Sequence, residues 1–144
     1  MLRFSINPKM KVLLTGGSGQ VGKEIIKSKP EEIEIINPCR KKLDLSDYSA
    51  CKKIVEDQKP DWIINCGAYT QVDEAEKNIL LSKKINGYAP AAFVEAINEI
   101  NSNLLQISTD FVFDGNQNFP YKENQIRNPL SQYGSSKALG EELI

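Results

Sequence analysis

The sequence predicts an α/β domain built on a doubly wound parallel sheet. Three observations lead there. Short apolar runs without alternation recur at Lys11 to Thr15, Ile33 to Asn37, Trp62 to Cys66 and Leu104 to Ser108, the form taken by strands buried on both faces. Helical periodicity fills the intervals, and strands that alternate with helices pair in parallel through right-handed crossovers, with helices on both faces. The 144 residues fit one domain, and a globular domain of that size buries roughly 70% of its unfolded surface.

In the first strand Val12, Leu13 and Leu14 run unbroken before a group of glycines. Gln20 to Lys29 reads as a helix with Val21, Ile25 and Ile26 on one stripe and Pro30 as its stop. Ile33 to Asn37 is the second strand, and Leu43-Asp44-Leu45 suggests a short third one. Ser46 or Asp47 can cap the next helix, in which Ala50, Cys51, Ile54 and Val55 recur at helical spacing as far as Pro60. Trp62 to Cys66 is the next strand, closed by Gly67. Leu80 to Ile100 is helical, with Gly87 and Pro90 predicting two pieces or a kink. Leu104 to Ser108 forms the last strand. A loop from Phe111 to Asn128 follows, long enough to be functional or disordered, and Pro129 opens a final helix.

Composition excludes several classes of function. The chain has 18 Lys plus Arg against 19 Asp plus Glu, so it carries no basic footprint for nucleic acid or anionic lipid. No stretch approaches the roughly 20 apolar residues that cross a bilayer. There is no histidine, which rules out Ser-His-Asp and Cys-His catalysis and imidazole ligation of a metal within these residues. Cys39, Cys51 and Cys66 have neither the even number nor the spacing of a disulfide framework or metal knuckle, and read as reduced cytoplasmic thiols. Residues 1–9 are expected to be an N-terminal extension. They hold no secretory signal, and Met10 is a second candidate start.

Chemistry enters at Thr15-Gly16-Gly17-Ser18-Gly19-Gln20-Val21-Gly22, between the first strand and first helix. Gly16 permits a tight turn, Gly19 lets backbone approach a diphosphate, and Gly22 lets the helix pack on the sheet. The helix N-terminus offers free N–H groups and positive dipole to the anion. This is the Rossmann-type dinucleotide fingerprint in its proper context. Gly17 to Lys23 also fits most of a nucleotide-hydrolase P-loop, but Glu24 stands where that loop needs Ser or Thr for magnesium. At the end of the second strand Asn37 replaces the carboxylate that would bind a ribose 2′-hydroxyl, and Arg40, Lys41 and Lys42 follow. That favours NADPH, with NADH as second choice; the competing reading is a solvated basic turn. Asp44 is placed to accept from an adenine amino group.

In Tyr133-Gly134-Ser135-Ser136-Lys137 a phenol and an ammonium stand four apart, on one face if helical. A phenol is a poor proton carrier at neutral pH, and a neighbouring ammonium favours its ionised form. Alone, such a pair is more often an exposed helical one.

Together with the glycine turn, it makes the chain resemble the extended short-chain dehydrogenase/reductase superfamily, and within it the dTDP-4-dehydrorhamnose reductase family. The resemblance runs from Lys11 to Ile144. It also rests on Pro60-Asp61-Trp62-Ile63-Ile64-Asn65, on Ala68-Tyr69-Thr70-Gln71-Val72-Asp73 with Ala75-Glu76, on Ile107-Ser108-Thr109-Asp110-Phe111-Val112-Phe113-Asp114-Gly115, and on Asn128-Pro129-Leu130. It implies an NAD(P)H-dependent oxidoreductase acting at the C4 carbonyl of a nucleotide-linked 4-keto-6-deoxy sugar in dTDP-rhamnose biosynthesis. In the implied roles, Tyr133 donates the proton, Lys137 holds the nicotinamide ribose and tunes the phenol, and Thr109 binds the growing oxyanion. Implied cofactor residues are Gly16, Ser18, Gly19, Gln20, Val21, Gly22, Asn37, Arg40, Asp44, Leu45, Asn65, Cys66, Gly67 and Ala68, with Tyr133 and Lys137. Implied substrate contacts are Tyr69, Thr70, Val72, Asp110 and Phe111, although the family usually has Tyr where Phe111 stands. Asp73, Glu74 and Glu76 read as an acidic helix start.

Chains of that family run about as long again, with further strands and a smaller sugar-nucleotide domain. Residues 10–144 are therefore expected to be the NAD(P)-binding domain, cut after the Tyr-x-x-x-Lys helix, with the last strand's edge open. A C-terminal portion or a homodimer would complete the site. The alternative from another class is a non-catalytic NADP-binding regulatory subunit, similar to the methionine adenosyltransferase beta subunit.

Overall fold

The computed structural model describes residues 9–144; apart from Lys9, the expected N-terminal extension lies outside them. β1 (Met10–Thr15), β2 (Ile33–Ile36), β3 (Trp62–Asn65) and β4 (Asn103–Gln106) form one parallel sheet in the order β2-β1-β3-β4. Register puts Leu13 beside Ile36 and Ile63, and Ile63 beside Leu104. The reversal of direction at β1 leaves a crevice at the carboxyl ends of β1 and β3, where open α/β sheets bind ligands.

The core lies on the face carrying Leu13 and Ile63. There α2 (Tyr48–Gln58) and α5 (Ala89–Ile97) pack together, with Cys51, Val55, Ala92, Phe93 and Ala96 fully buried between them and the sheet. Asp47 caps α2 by accepting from Ala50 N–H at 3.0 Å. The opposite face is more thinly covered. α1 (Gln20–Ser28) buries only Gly22, and its expected apolar stripe stays largely in solvent, with Val21 51% and Ile26 36% exposed. Trp62 and Leu105 on that face are also exposed. The reason is topological. The β1 to β2 and β2 to β3 connections run in opposite directions across the sheet, so right-handed crossovers put α1 and α2 on opposite faces, and among the described residues no helix packs extensively against α1.

Other elements depart from the sequence reading locally. Leu43 to Leu45 is irregular chain running into a turn at Leu45 rather than a strand, because Asp44 Oδ1 accepts from the Ser46 N–H at 2.9 Å and the Ser46 hydroxyl at 2.8 Å. Ile107 and Ser108 lie past the end of β4, although the Ile107 N–H still donates to Asn65 O at 3.2 Å. The kink around Gly87 and Pro90 is a π-helical turn, Lys84–Tyr88, joining α4 (Ile79–Lys83) to α5. Between β3 and α4 lies the single turn α3 (Val72–Ala75). The final helix, α6 (Gln132–Glu142), starts three residues after Pro129, since Ser131 caps it by accepting from Gly134 N–H at 3.0 Å.

The long loop is tied down. A 3-10 turn, Asp110–Val112, opens it, Phe113 stacks on Tyr121 at 4.2 Å, and Asn128 N–H donates to Val112 O at 2.9 Å. Among the described residues no helix is long and apolar enough to cross a membrane.

Candidate active site

At the end of β1 the chain turns on Gly16, whose φ of +67° lies in the left-handed region that glycine tolerates. A β-carbon there would stand 2.6 Å from Gly67 N, so the turn abuts the strand end of β3. Gly19 N–H closes the turn on Gly16 O at 2.9 Å. Gly19 is also the N-cap of α1, and no side chain caps that terminus. The first N–H groups of α1, at Gln20, Val21 and Gly22, therefore have no helical acceptor. A β-carbon on Gly19 would meet only Gly16 O, at 3.3 Å, which leaves the backbone open to a ligand. Uncapped amides at the positive end of a helix suit an anion, and this donor set fits the diphosphate of a dinucleotide. Ser18 is exposed beside it.

Asn37 crosses the same turn, its carboxamide lying against Gly17. Cys39 to Lys42 form a turn in which Lys42 and Leu43 N–H groups donate to Cys39 O at 2.8 and 3.0 Å, leaving Cys39, Arg40, Lys41 and Lys42 exposed. Asp44, expected to meet the adenine, is exposed and engaged with Ser46. Its bonds from the Ser46 backbone and side chain occupy Oδ1 and hold its carboxyl below the usual range. Leu45 is half-buried against the core.

A row of polar side chains joins the ends of three strands. Thr15, Asn65 and Gln106 are register partners. Thr15 Oγ1 donates to Asn65 Oδ1 and accepts from Gly67 N–H at 3.0 Å. Asn65 Nδ2 donates to Gln106 Oε1 at 2.7 Å, and Gln106 Nε2 donates to Ile107 O at 2.8 Å. Asn65, expected to line the cofactor, is instead 1% exposed with its carboxamide committed to this row. Cys66 and Ala68 are half-buried and Gly67 buried.

The row ends at the same carbonyl that receives Lys137. Lys137 Nζ donates to Ile107 O at 2.5 Å, and the side chain is only 4% exposed. Burial pulls its ammonium below the ordinary lysine value, while Glu141 and Cys66 act in the opposite direction. Tyr133, one helical turn earlier, is half-buried and packs against Phe111. Close approach is possible because Gly134 has no β-carbon; one would lie 2.2 Å from Phe111 O. Thr109 is the cap of the 3-10 turn: its hydroxyl accepts from Phe111 N–H at 3.2 Å and donates to Asp110 Oδ1 at 3.2 Å. Thr109, Tyr133 and Lys137 thus come from two segments that meet beyond β4, and Lys137 acts electrostatically on Cys66, next to the glycine turn.

On the proposed substrate side Asp110 and Phe111 are exposed, as is Thr70, while Tyr69 and Val72 are half-buried. What holds Tyr69 is Asn86, a residue the sequence reading did not single out. Asn86 Oδ1 accepts from Tyr69 N–H at 2.8 Å, and Nδ2 donates to Tyr69 O at 3.0 Å and Ser136 Oγ at 2.9 Å. Ser136 in turn donates to Tyr133 O at 2.7 Å. The side chain is 1% exposed and sits in the π turn, a deformation frequent at functional sites. The available signal was Gly87 and Pro90 in an otherwise helical stretch. Glu76 also differs from expectation. Rather than serving the start of α3, its carboxylate accepts from the Gln132 N–H at 2.8 Å and fixes the start of α6.

The profile of the family described as the RmlD substrate binding domain matches residues 10–144. A dTDP-4-dehydrorhamnose reductase of Burkholderia thailandensis is 39% identical over 132 residues, covering 92% of this chain and 44% of that protein. Among solved structures, a dTDP-4-dehydrorhamnose reductase of Clostridium acetobutylicum superposes with TM-score 0.89 at 39% identity, covering 93% of this chain and 48% of the other. The Bacillus anthracis dTDP-4-dehydrorhamnose reductase in complex with NADP superposes with TM-score 0.90 at 36% identity, covering 96% and 50%. The chain spans about half the length of the relatives it matches.

Proposed function

The chain belongs to the RmlD substrate binding domain family, and from that premise we propose that residues 10–144 bind NADPH and present the proton-donating groups for reducing a nucleotide-linked 4-keto-6-deoxy sugar, as in dTDP-4-dehydrorhamnose reductase. The observation that carries this reading is Lys137, buried against Ile107 O one turn beyond Tyr133 and close to the strand end that abuts the glycine turn. A regulatory, non-reducing role has no observation in its favour, since binding alone does not need a phenol beside an enclosed ammonium.

In this reading, the N-terminal amides of α1 hold the diphosphate and Arg40 with Asn37 meets the adenosine end. Bound NADPH supplies a hydride to the carbonyl carbon. Lys137 holds the nicotinamide ribose. Tyr133 gives its proton to the oxygen that gains charge, and the Thr109 hydroxyl stabilises that oxygen by a hydrogen bond. Thr109 must exchange its bond to Asp110 for one to the substrate. Tyr69, Thr70, Val72, Asp110 and Phe111 border the sugar. The three free thiols suit a reducing compartment, the cytoplasm, and a second copy or further chain would enclose the sugar nucleotide.

Titrating NADPH against the chain and against Gly19→Val tests the shared premise. The wild type binds and quenches Trp62 emission or enhances nicotinamide emission, and Gly19→Val, whose side chain enters the open side of the turn, does not. Equal binding by both overturns the reading.

A further inference from the structure

Lys137 has one strong protein partner, Ile107 O, the carbonyl of the residue just past β4, whose N–H makes the last ladder bond, to Asn65 O at 3.2 Å. Beyond that bond nothing in the ladder fixes how Ser108 and Thr109 stand against α6. A second link does. The Ser108 hydroxyl donates to Glu141 Oε1, and Glu141 follows Lys137 by four residues, so both side chains leave the same face of α6. They grip adjacent residues of the 107–109 segment. The other carboxylate oxygen accepts from Arg127 Nη1 at 3.2 Å, and the same guanidinium nitrogen donates to Ala138 O at 3.3 Å. Glu141 and Arg127 are 29% and 33% exposed, sheltered enough for these charge-assisted bonds to hold geometry rather than be screened away.

A recess of about 840 Å³ lies behind this cluster, with Lys83, Phe113, Arg127, Leu139 and Glu142 along its walls, and it excludes the glycine turn. Charges facing Glu141 are thus Arg127 and Lys137, with Lys83, Glu123 and Glu142 on the recess; Cys66 acts on Lys137 as well.

We propose that Glu141 is a positioning residue: by receiving Ser108 it locks the Ile107 to Thr109 segment to α6 and so sets the seat of Lys137 and its distance from Thr109. This inference rests on the reading above, in which Lys137 meets the nicotinamide ribose. When Lys137 turns from Ile107 O toward a ribose, the Ile107 N–H stays on Asn65 O and the Ser108 to Glu141 link keeps Ser108 and Thr109 in register with α6. Poor registry at this level weakens contacts at the nicotinamide end and leaves the adenosine end, set by α1 and the turn after β2, unchanged.

The experiment compares two probes, NADPH and adenosine 2′,5′-bisphosphate, on the full chain and on Glu141→Ala, Ser108→Ala, their double variant and Glu141→Gln. We expect Glu141→Ala and Ser108→Ala each to weaken NADPH about tenfold, the double variant to be no worse than either single one, and Glu141→Gln, which keeps an acceptor oxygen, to bind as the wild type does. Binding of the bisphosphate stays constant throughout, which also reports that every variant is folded. If NADPH affinity is unchanged, if both probes weaken in parallel, or if Glu141→Gln is as weak as Glu141→Ala, the positioning role is overturned while the cofactor reading stands. A wild type that binds neither probe removes the cofactor reading, and this inference falls with it.

Discussion

The ring of Phe111 meets the ring of Tyr133 edge-on, with centroids 5.7 Å apart and planes at 80°. This is a favoured aromatic geometry, and it braces the phenol assigned as proton donor from the side of the 3-10 turn. A double-mutant cycle on Phe111→Leu and Tyr133→Leu is expected to return a coupling of about 1 kcal/mol in unfolding free energy. Zero coupling in urea denaturation would show that the two rings are merely adjacent.

Within the turn's own backbone, Gly22 faces a sharper steric test than Gly19. A β-carbon there would lie 2.4 Å from Gly16 O and 2.6 Å from Gly17 Cα, against 3.3 Å from Gly16 O for one on Gly19. Gly22→Ala should cost about 1–3 kcal/mol as overpacking and splay the turn. Gly19→Ala should be milder in thermal unfolding. The reverse order would contradict the close contact of α1 with the turn.

Replacing Asn86 by Ala strands the Tyr69 N–H and C=O and removes the donor to Ser136. The expected loss is about 3 kcal/mol, from buried groups left unpaired. Chemical denaturation reads the stability, and amide exchange at Tyr69 should quicken before that of the sheet does.

Lys137 gives a pH signature with a definite sign. Burial lowers its folded value beneath the 10.5 of an ordinary lysine, so the unfolded chain binds its proton more tightly. This group's contribution to stability therefore improves as pH rises from the folded value toward 10.5. Lys137→Met removes that rise. Urea midpoints of the two proteins, compared at neutral pH and near pH 10.5, should differ by amounts that depend on pH; a constant difference would mean that the ammonium is not desolvated.

Asp114 behaves oppositely. Bonds from the Asn116 N–H, the Asn128 amide and the Tyr121 hydroxyl hold its carboxyl down to about 2, from an ordinary 3.8. Its stabilisation of the loop is present above 3.8 and fades as pH falls through about 2. Amide exchange at Asn116 should stay slow through mild acid and quicken only toward that limit, whereas Asp114→Ala should show fast exchange at every pH.

Features set by neighbours in sequence were readable without coordinates. The glycine spacing from Gly16 to Gly22 between strand and helix, and the four-residue interval from Tyr133 to Lys137, follow from local geometry alone. Features set by packing were not. Asn86 gains its role only because a π turn points it at Tyr69 and Ser136, partners 17 and 50 residues away. Asn65 reads as a ligand residue at a strand end, yet parallel register puts it between Thr15 and Gln106, where its carboxamide is consumed. The stripe on α1 is plain in sequence but stays half in solvent, because periodicity reports which face is apolar and not whether another element arrives to cover it. Leu43 to Leu45 failed as a strand for a local reason, the competition of the Asp44 side chain for the backbone of Ser46.

The three thiols differ sharply in access, and that difference is practical. Cys51 is sealed in the core, with burial pushing its thiol up to about 12, and Cys66 is half covered. Cys39 stands open beside Arg40. A maleimide dye will therefore attach first at Cys39 without any engineered cysteine, and its emission will follow events at one extremity of the crevice while native Trp62 fluorescence tracks the integrity of the sheet.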